Sequence, residues 1–178
     1  MSNNEDFLPP DYEIPKSPSR YTKFEKDWTT KIRILPQEWD KITQIYYEYF
    51  DTRWEKPKSV RSIKEFETTP WIREWEHQKQ MWSFKVWNYD KEIIQICSIW
   101  QKSIQESIFA YHKEEAYWNP TWYDLKISRE WEKLTTKYSI VALPPKPFDK
   151  SLLEWKEVNI DWIWFLECET EIFKTIED

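Results

Sequence analysis

The stretch Met81-Trp82-Ser83-Phe84-Lys85-Val86-Trp87-Asn88-Tyr89-Asp90-Lys91-Glu92-Ile93-Ile94-Gln95-Ile96-Cys97-Ser98-Ile99 decides the fold class. Both halves are rich in aromatic and β-branched residues, which suit a pleated, half-buried surface. Residues 81–89 form one predicted strand and 92–99 the next, with Asn88-Tyr89-Asp90-Lys91 as the hairpin turn. Successive side chains of a strand point to opposite faces. Trp82, Phe84 and Val86 therefore share an apolar face, and Ser83, Lys85, Trp87 and Tyr89 share the other. The second set is expected to be a solvent face with a lysine among rings.

Upstream, Lys31-Ile32-Arg33-Ile34-Leu35 is a short strand ended by Pro36, and residues 42–50 are a second strand. Alternation there separates Ile45, Tyr47 and Tyr49 from Tyr46, Glu48 and Phe50. Residues 51–79 are charged and aperiodic and are expected to form a long loop. Downstream the period changes to helical. Ile104, Ile108 and Tyr111 predict a helix over 101–117, ended by Asn119-Pro120. Two further strands follow at 123–128 and 135–143, joined by a tight turn at 129–133, before Pro144, Pro145 and Pro147 close the domain. A short element is placed near 160–166.

This order predicts a mainly β (α+β) chain: an OB-like barrel of five to six strands with one helix inserted between strands. A mixed α+β sandwich fits the same order. The expected division is a flexible N-terminal arm over 1–20, a domain over 21–148, and a linker with an acidic C-terminal tail over 149–178.

The net charge is −6 over 178 residues. Residues 154–178 hold eight acids and two bases and so carry all of it, while the body balances. An acidic tail behind a neutral body with local basic clusters differs from a uniformly acidic protein. Cys97 and Cys168 are read as reduced thiols of a cytoplasmic protein. No signal peptide and no membrane span is expected.

Glycine is absent, against an average usage of about 7%, while tryptophan occurs 14 times. Tight turns need residues that tolerate positive φ. Trp28, Trp39, Trp54, Trp71, Trp75, Trp118, Trp122 and Trp131 all stand in polar, turn-like contexts. A genetic code that reads UGA as glycine, translated with a table that reads it as tryptophan, accounts for both anomalies. It requires every glycine to be UGA-encoded. A truly tryptophan-rich protein, such as a carbohydrate binder with stacking rings, is the alternative. The codons separate them: Trp28 and Trp131 are expected to be UGA, and Trp82 and Trp87 to be UGG.

Catalytic signals are few. His77 and His112 stand alone, no H-x-x-x-H or C-x-x-C spacing occurs, and no phosphate-binding loop appears even with tryptophan read as glycine. No enzyme activity, metal or cofactor is expected. The binding signal is stronger, because single strands are held by basic grooves with aromatic platforms. Lys56, Lys58, Arg61 and Lys64 form one basic cluster, and Lys23, Lys26, Lys31 and Arg33 another. The expected nucleic-acid-binding set is Arg33, Tyr47, Tyr49, Lys58, Arg61, Lys64, Lys85, Trp87 and Tyr89. A phage structural or protein-interaction component, and an enzyme acting on nucleic acid or carbohydrate, are the other function classes.

Several segments resemble a known family. Phe7-Leu8-Pro9 opens a Pro-rich arm, Lys31-Ile32-Arg33-Ile34-Leu35 resembles K-F-R-I-L, and Tyr47-Glu48-Tyr49-Phe50-Asp51-Thr52 resembles W-E-Y-W-N-T. Lys58-Ser59-Val60-Arg61-Ser62 is similar to K-P-V-R-S, and Val86-Trp87-Asn88-Tyr89-Asp90 matches V-W-N-Y-D, with Gln101-Lys102 echoing T-Q-K. Trp118-Asn119-Pro120-Thr121-Trp122-Tyr123-Asp124 is similar to G-D-P-K-G-Y-D, both tryptophans falling on glycines. Over residues 7–148 the chain thus resembles phage and prophage single-stranded-DNA-binding proteins, distantly the T4-type helix-destabilising protein. The resemblance implies an OB fold, sequence-nonspecific binding of single-stranded DNA, and work in phage replication or recombination in the host cytoplasm. It also implies an acidic tail that docks replication or recombination proteins or competes with DNA for the groove. The T4-type zinc ligands are absent, so no metal is carried over.

Overall fold

In chain order the strands are β1 (Trp28–Ile34), β2 (Thr43–Asp51), β3 (Lys58–Ser62), β4 (Lys79–Asn88), β5 (Ile93–Ile99), β6 (Asp124–Glu132), β7 (Thr135–Ala142), β8 (Val158–Ile160) and β9 (Phe173–Thr175). Helix α1 (Lys102–His112) follows β5, and the short α2 (Trp162–Leu166) follows β8. The computed structural model describes residues 19–37, 41–132, 135–154, 156, 158–167 and 173–175. The N-terminal arm up to residue 18, Trp39, Cys168 and most of the acidic tail beyond Glu167 lie outside the described residues.

The fold is mainly β. Strands β1–β7 form one antiparallel sheet whose path runs β3-β2-β4-β1-β6-β7, with β5 joined to β4. β4 organises it. One edge pairs with β5 from Trp82 to Asn88. The other pairs first with β2, from Lys79 to Phe84, and then with β1, from Val86 to Asn88. The changeover falls at Lys85, whose carbonyl accepts from Leu35 N at 2.9 Å. A barrel would close by joining β5 to β7, and no register joins them among the described residues. The free edge of β5 instead meets residues 20–22: Ile96 N donates to Arg20 O at 2.8 Å, and Thr22 N donates to Ile96 O at 2.9 Å. The sheet is open.

Two cores lie on its two faces. Ile32, Ile34, Phe84, Val86, Leu125 and Ile127 bury against Ile104 and Ile108 of α1. On the opposite face Tyr46, Met81 and Ile96 bury against Ile160, Trp162 and Phe165. Residues 158–167, expected in the linker and tail, are therefore a packed layer. Burying Trp162 and Phe165 at 2% and 0% exposure contributes about 1.5–3 kcal/mol each.

Three expectations are corrected. The segment expected as a loop over 51–79 contains β3, because small Ser59 and Ser62 around Val60 let it pair along the edge of β2. α1 stops at His112 rather than 117, since the chain turns to pack Tyr117 on Tyr111 and Tyr123, at centroid distances of 5.6 and 5.1 Å. β6 runs on to Glu132, over the first four residues of the expected turn, and Trp131 pairs with Thr136 as ordinary strand. Residue 131 therefore does not require glycine. Trp28 likewise lies in β1, paired with Arg129.

Among the described tryptophans only Trp71 has a left-handed backbone, at φ 62°. Its indole is exposed, beside the Arg53 guanidinium. An L-residue with a Cβ pays for that conformation in steric strain. Trp71→Gly is therefore expected to raise stability by about 1 kcal/mol, read from the urea midpoint. A lowered midpoint would show that the indole contributes more there than its backbone strain costs.

Candidate nucleic-acid interface

Partners across an antiparallel ladder point to the same side. Arg33 of β1 is the partner of Trp87 of β4 and of Asp124 of β6. Lys85 and Ser83 share that face of β4, and Tyr46 and Glu48 of β2 continue it to Arg61 of β3. The structure thus brings Arg33, Arg61, Lys85 and Trp87 onto one face of the sheet, opposite α1. Tyr89 joins them through its hydroxyl, which donates to Asp124 Oδ1 at 2.8 Å.

This face is not open to solvent, which corrects the expectation from alternation. Lys85 is 3% exposed and Trp87 2% exposed. The chain's own segment 158–167 lies over Lys85 and Arg61. Lys85 Nζ donates to Val158 O at 2.7 Å, and Arg61 Nη1 donates to Phe165 O at 2.8 Å. Phe165 stands edge-on to Tyr46 and to Trp162, each at 5.4 Å, and the Arg61 guanidinium lies 4.3 Å from its centroid. Trp162 Nε1 donates to Lys41 O at 3.2 Å, and Lys156 Nζ lies over the Trp87 ring. Burial pushes the Tyr46 hydroxyl up to about 12, with the Glu48 charge adding to it, so it stays a neutral phenol.

Arg33 is buried as well, at 1% exposure, and its contacts are internal. Its Nε donates to Asp124 Oδ1 at 2.6 Å, and its Nη1 donates to Thr121 O and Lys146 O at 3.1 Å each. Asp124 is the centre of a cluster that sequence reasoning missed. Lys31 Nζ and Lys146 Nζ each lie 3.2 Å from its Oδ2. Lys31 also sits 4.1 Å above the Tyr89 ring. Burial raises the Tyr89 pKa, and the bond to the Asp124 carboxylate raises it further. Alternation along β6 shows only that Asp124 and Lys126 share a face. The register that sets that face beside Lys31 and Arg33 is nonlocal.

The remaining expected residues fall elsewhere. Tyr47 and Tyr49 point to the other side of β2. Tyr47 is half-buried and accepts from Gln80 Nε2 at 3.2 Å, while Tyr49 is buried edge-on to Phe66 at 4.9 Å. Lys58, exposed at the start of β3, lies 3.8 Å over the Trp54 ring, and Lys64 is exposed just beyond β3. These four do not join the face that carries Lys85.

Burial pushes the Cys97 thiol up to about 12, so it is an unreactive core residue. Among the described residues no group of His, Cys, Asp and Glu is placed to hold a metal, and no helix is long and apolar enough to cross a membrane. Comparison of the chain with family models, with curated proteins and with solved structures gave no match.

Proposed function

We propose that the chain binds single-stranded DNA without sequence preference, in phage replication or recombination, through the face of β1, β3 and β4 that carries Arg61, Lys85, Trp87 and Tyr89. One observation carries the reading. Two cations of that face already hold the covering segment by main-chain carbonyls, one in β8 and one in α2. Carbonyl oxygens spaced along a peptide and phosphate oxygens spaced along a strand make similar demands on such donors. The Tyr46 ring lies beside Arg61, and the Trp87 ring follows Lys85 on the same face of β4, as platforms for bases. On this reading segment 158–167 occupies the groove in the absence of DNA and leaves when a strand binds, and the acidic residues that follow recruit replication or recombination proteins.

Connectivity supports the reading. Strands β1, β4, β5, β6 and β7, with α1 between β5 and β6, follow the order of an OB fold, a partly open five-stranded barrel that binds oligonucleotides over its second and third strands. On this reading those strands correspond to β4 and β5, and the β2–β3 hairpin to an insertion. The tryptophans support the glycine code. Trp28, Trp54, Trp71, Trp75, Trp118, Trp122 and Trp131 are all exposed, whereas Trp87 is buried and Trp82 half-buried. The exposed indoles are accordingly left out of the proposed interface.

Titration of oligothymidylate into the full chain, and into a chain ending at Glu154, tests the proposal. Binding is expected in both, tighter in the shortened chain, and falling steeply with salt. Lys85→Glu is expected to weaken it. Absence of binding in either chain at low salt would overturn the reading.

A phage protein-interaction role is the second reading, and one feature favours it. An apolar groove of about 330 Å³ runs beside α1, lined by Ile42, Ile45, Trp82, Phe109, His112 and Pro120. On that reading oligonucleotides leave the protein unshifted, and a virion or replication protein binds it stably.

A further inference from the structure

We propose that Lys31, Arg33, Lys146 and Tyr89, gathered around Asp124, form a fixed subsite for one phosphodiester group of the bound strand. The inference rests on the single-strand reading and adds to it a contact point outside the layer formed by residues 158–167.

Charge is the first argument. Three cations converge on one buried carboxylate, so the cations of the cluster outnumber its acids even with the nearby Asp149 charge included. The Lys31 and Lys146 ammonium groups each lie 3.2 Å from the same oxygen and therefore stand no farther apart than twice that distance. One carboxylate cannot satisfy both, since each ammonium carries three donors. Asp149 is the other acid whose charge acts on Tyr89, and its carboxylate already accepts from Ser151 N and Oγ, at 3.0 and 2.6 Å.

An unsatisfied donor is the second argument. Arg33 Nη2 is buried and has no hydrogen-bond partner, and Asp124 Oδ2, though close to both ammonium groups, is likewise unbonded, although buried polar groups are nearly always paired. The half-buried ring of Phe148, in the connection after β7, lies 5.7 Å from the guanidinium. Access is the third argument. The side chain of Lys146 is 53% exposed and that of Lys31 28% exposed, so both ammonium groups can meet an incoming phosphate while Asp124 stays enclosed. A phosphate oxygen there takes up donors that Asp124 leaves over.

The test measures the affinity of the full chain for oligothymidylate across about 50–200 mM salt, with Lys146→Ala, Lys146→Arg, Lys31→Ala and Lys102→Ala compared at equal thermal midpoint. Loss of one phosphate contact is expected to cut the slope of log affinity against log salt by about 0.7–1, and to weaken dT and dC oligomers alike. That result is expected for Lys146→Ala and Lys31→Ala. Lys146→Arg is expected to restore most of the affinity, and Lys102→Ala to match the parent. Parent-like affinity and slope in both alanine variants would overturn the subsite while leaving single-strand binding intact. Inorganic phosphate that competes no better than chloride at equal ionic strength supports a strand site. Phosphate held in a Lys146-dependent way, with oligomer affinity unchanged in Lys146→Ala, would make it a free-anion site and overturn the inference. A parent chain that binds no oligomer would sink the single-strand reading itself and this subsite with it.

Discussion

Asp124→Ala is expected to cost about 3–5 kcal/mol of stability. Asp124 is fully buried and Arg33 nearly so, and the two bond at 2.6 Å across the β1–β6 ladder. Removing the carboxylate leaves a buried guanidinium without its anion and brings the Lys31 and Lys146 charges together uncompensated. Asp124→Asn keeps an acceptor for Arg33 and is expected to lose less. The pH dependence follows from the same contacts. Burial alone would raise the Asp124 pKa, but the hydrogen bonds from Arg33 and Tyr89 outweigh it and hold the carboxyl below the usual range. Its contribution is therefore complete above the unfolded value of about 3.9. It is lost as pH falls through the lower folded value. Urea midpoints measured from neutral to strongly acidic pH check both statements. A midpoint for Asp124→Ala equal to the parent's at neutral pH would show that the cluster contributes no net stability.

Trp162→Ala combined with Phe165→Ala is expected to raise affinity for oligothymidylate by about tenfold or more, and to lower the thermal midpoint. Each truncation of a large buried ring removes about 3–5 kcal/mol of packing, and these two rings anchor residues 158–167 to Tyr46, Met81 and Ile96. A site that is free only part of the time binds more weakly in proportion to that fraction. Loosening the anchors therefore frees Lys85 and Arg61 more often without altering either. Unlike a shortened chain, the double variant keeps every charge of the acidic segment, so a gain in affinity reports uncovering and not a changed net charge. Lower stability with unchanged affinity would mean that the segment is a permanent layer, and that DNA, if bound, lies elsewhere.

Strand existence was legible along most of the chain. The 81–99 hairpin, the β1 and β2 segments, the helix after residue 100 and the short element near 160–166 all carry local periodicity, and all of them form. The split of β4 into Trp82, Phe84 and Val86 against Ser83, Lys85 and Trp87 also follows from alternation alone, and the two sets do lie on opposite faces. β3 was missed because its signal is not periodic. Its five residues are polar at four positions and become a strand only through the unpaired edge of β2.

Solvent exposure of a face was not legible, because a strand's residues state which side they share and not what will cover it. Lys85 and Trp87 read as surface until Val158 meets the one and Lys156 the other, from some 70 residues downstream. The Asp124 cluster has the same origin, since Lys31, Tyr89, Asp124 and Lys146 come from four separate segments that meet through the pairing of β1 with β4 and β6. Local sequence determined the elements other than β3, and their two-sidedness, for these depend on backbone preference and a period of two. Only the tertiary structure decided which face is buried and which charges meet, because both depend on contacts between residues far apart in the chain.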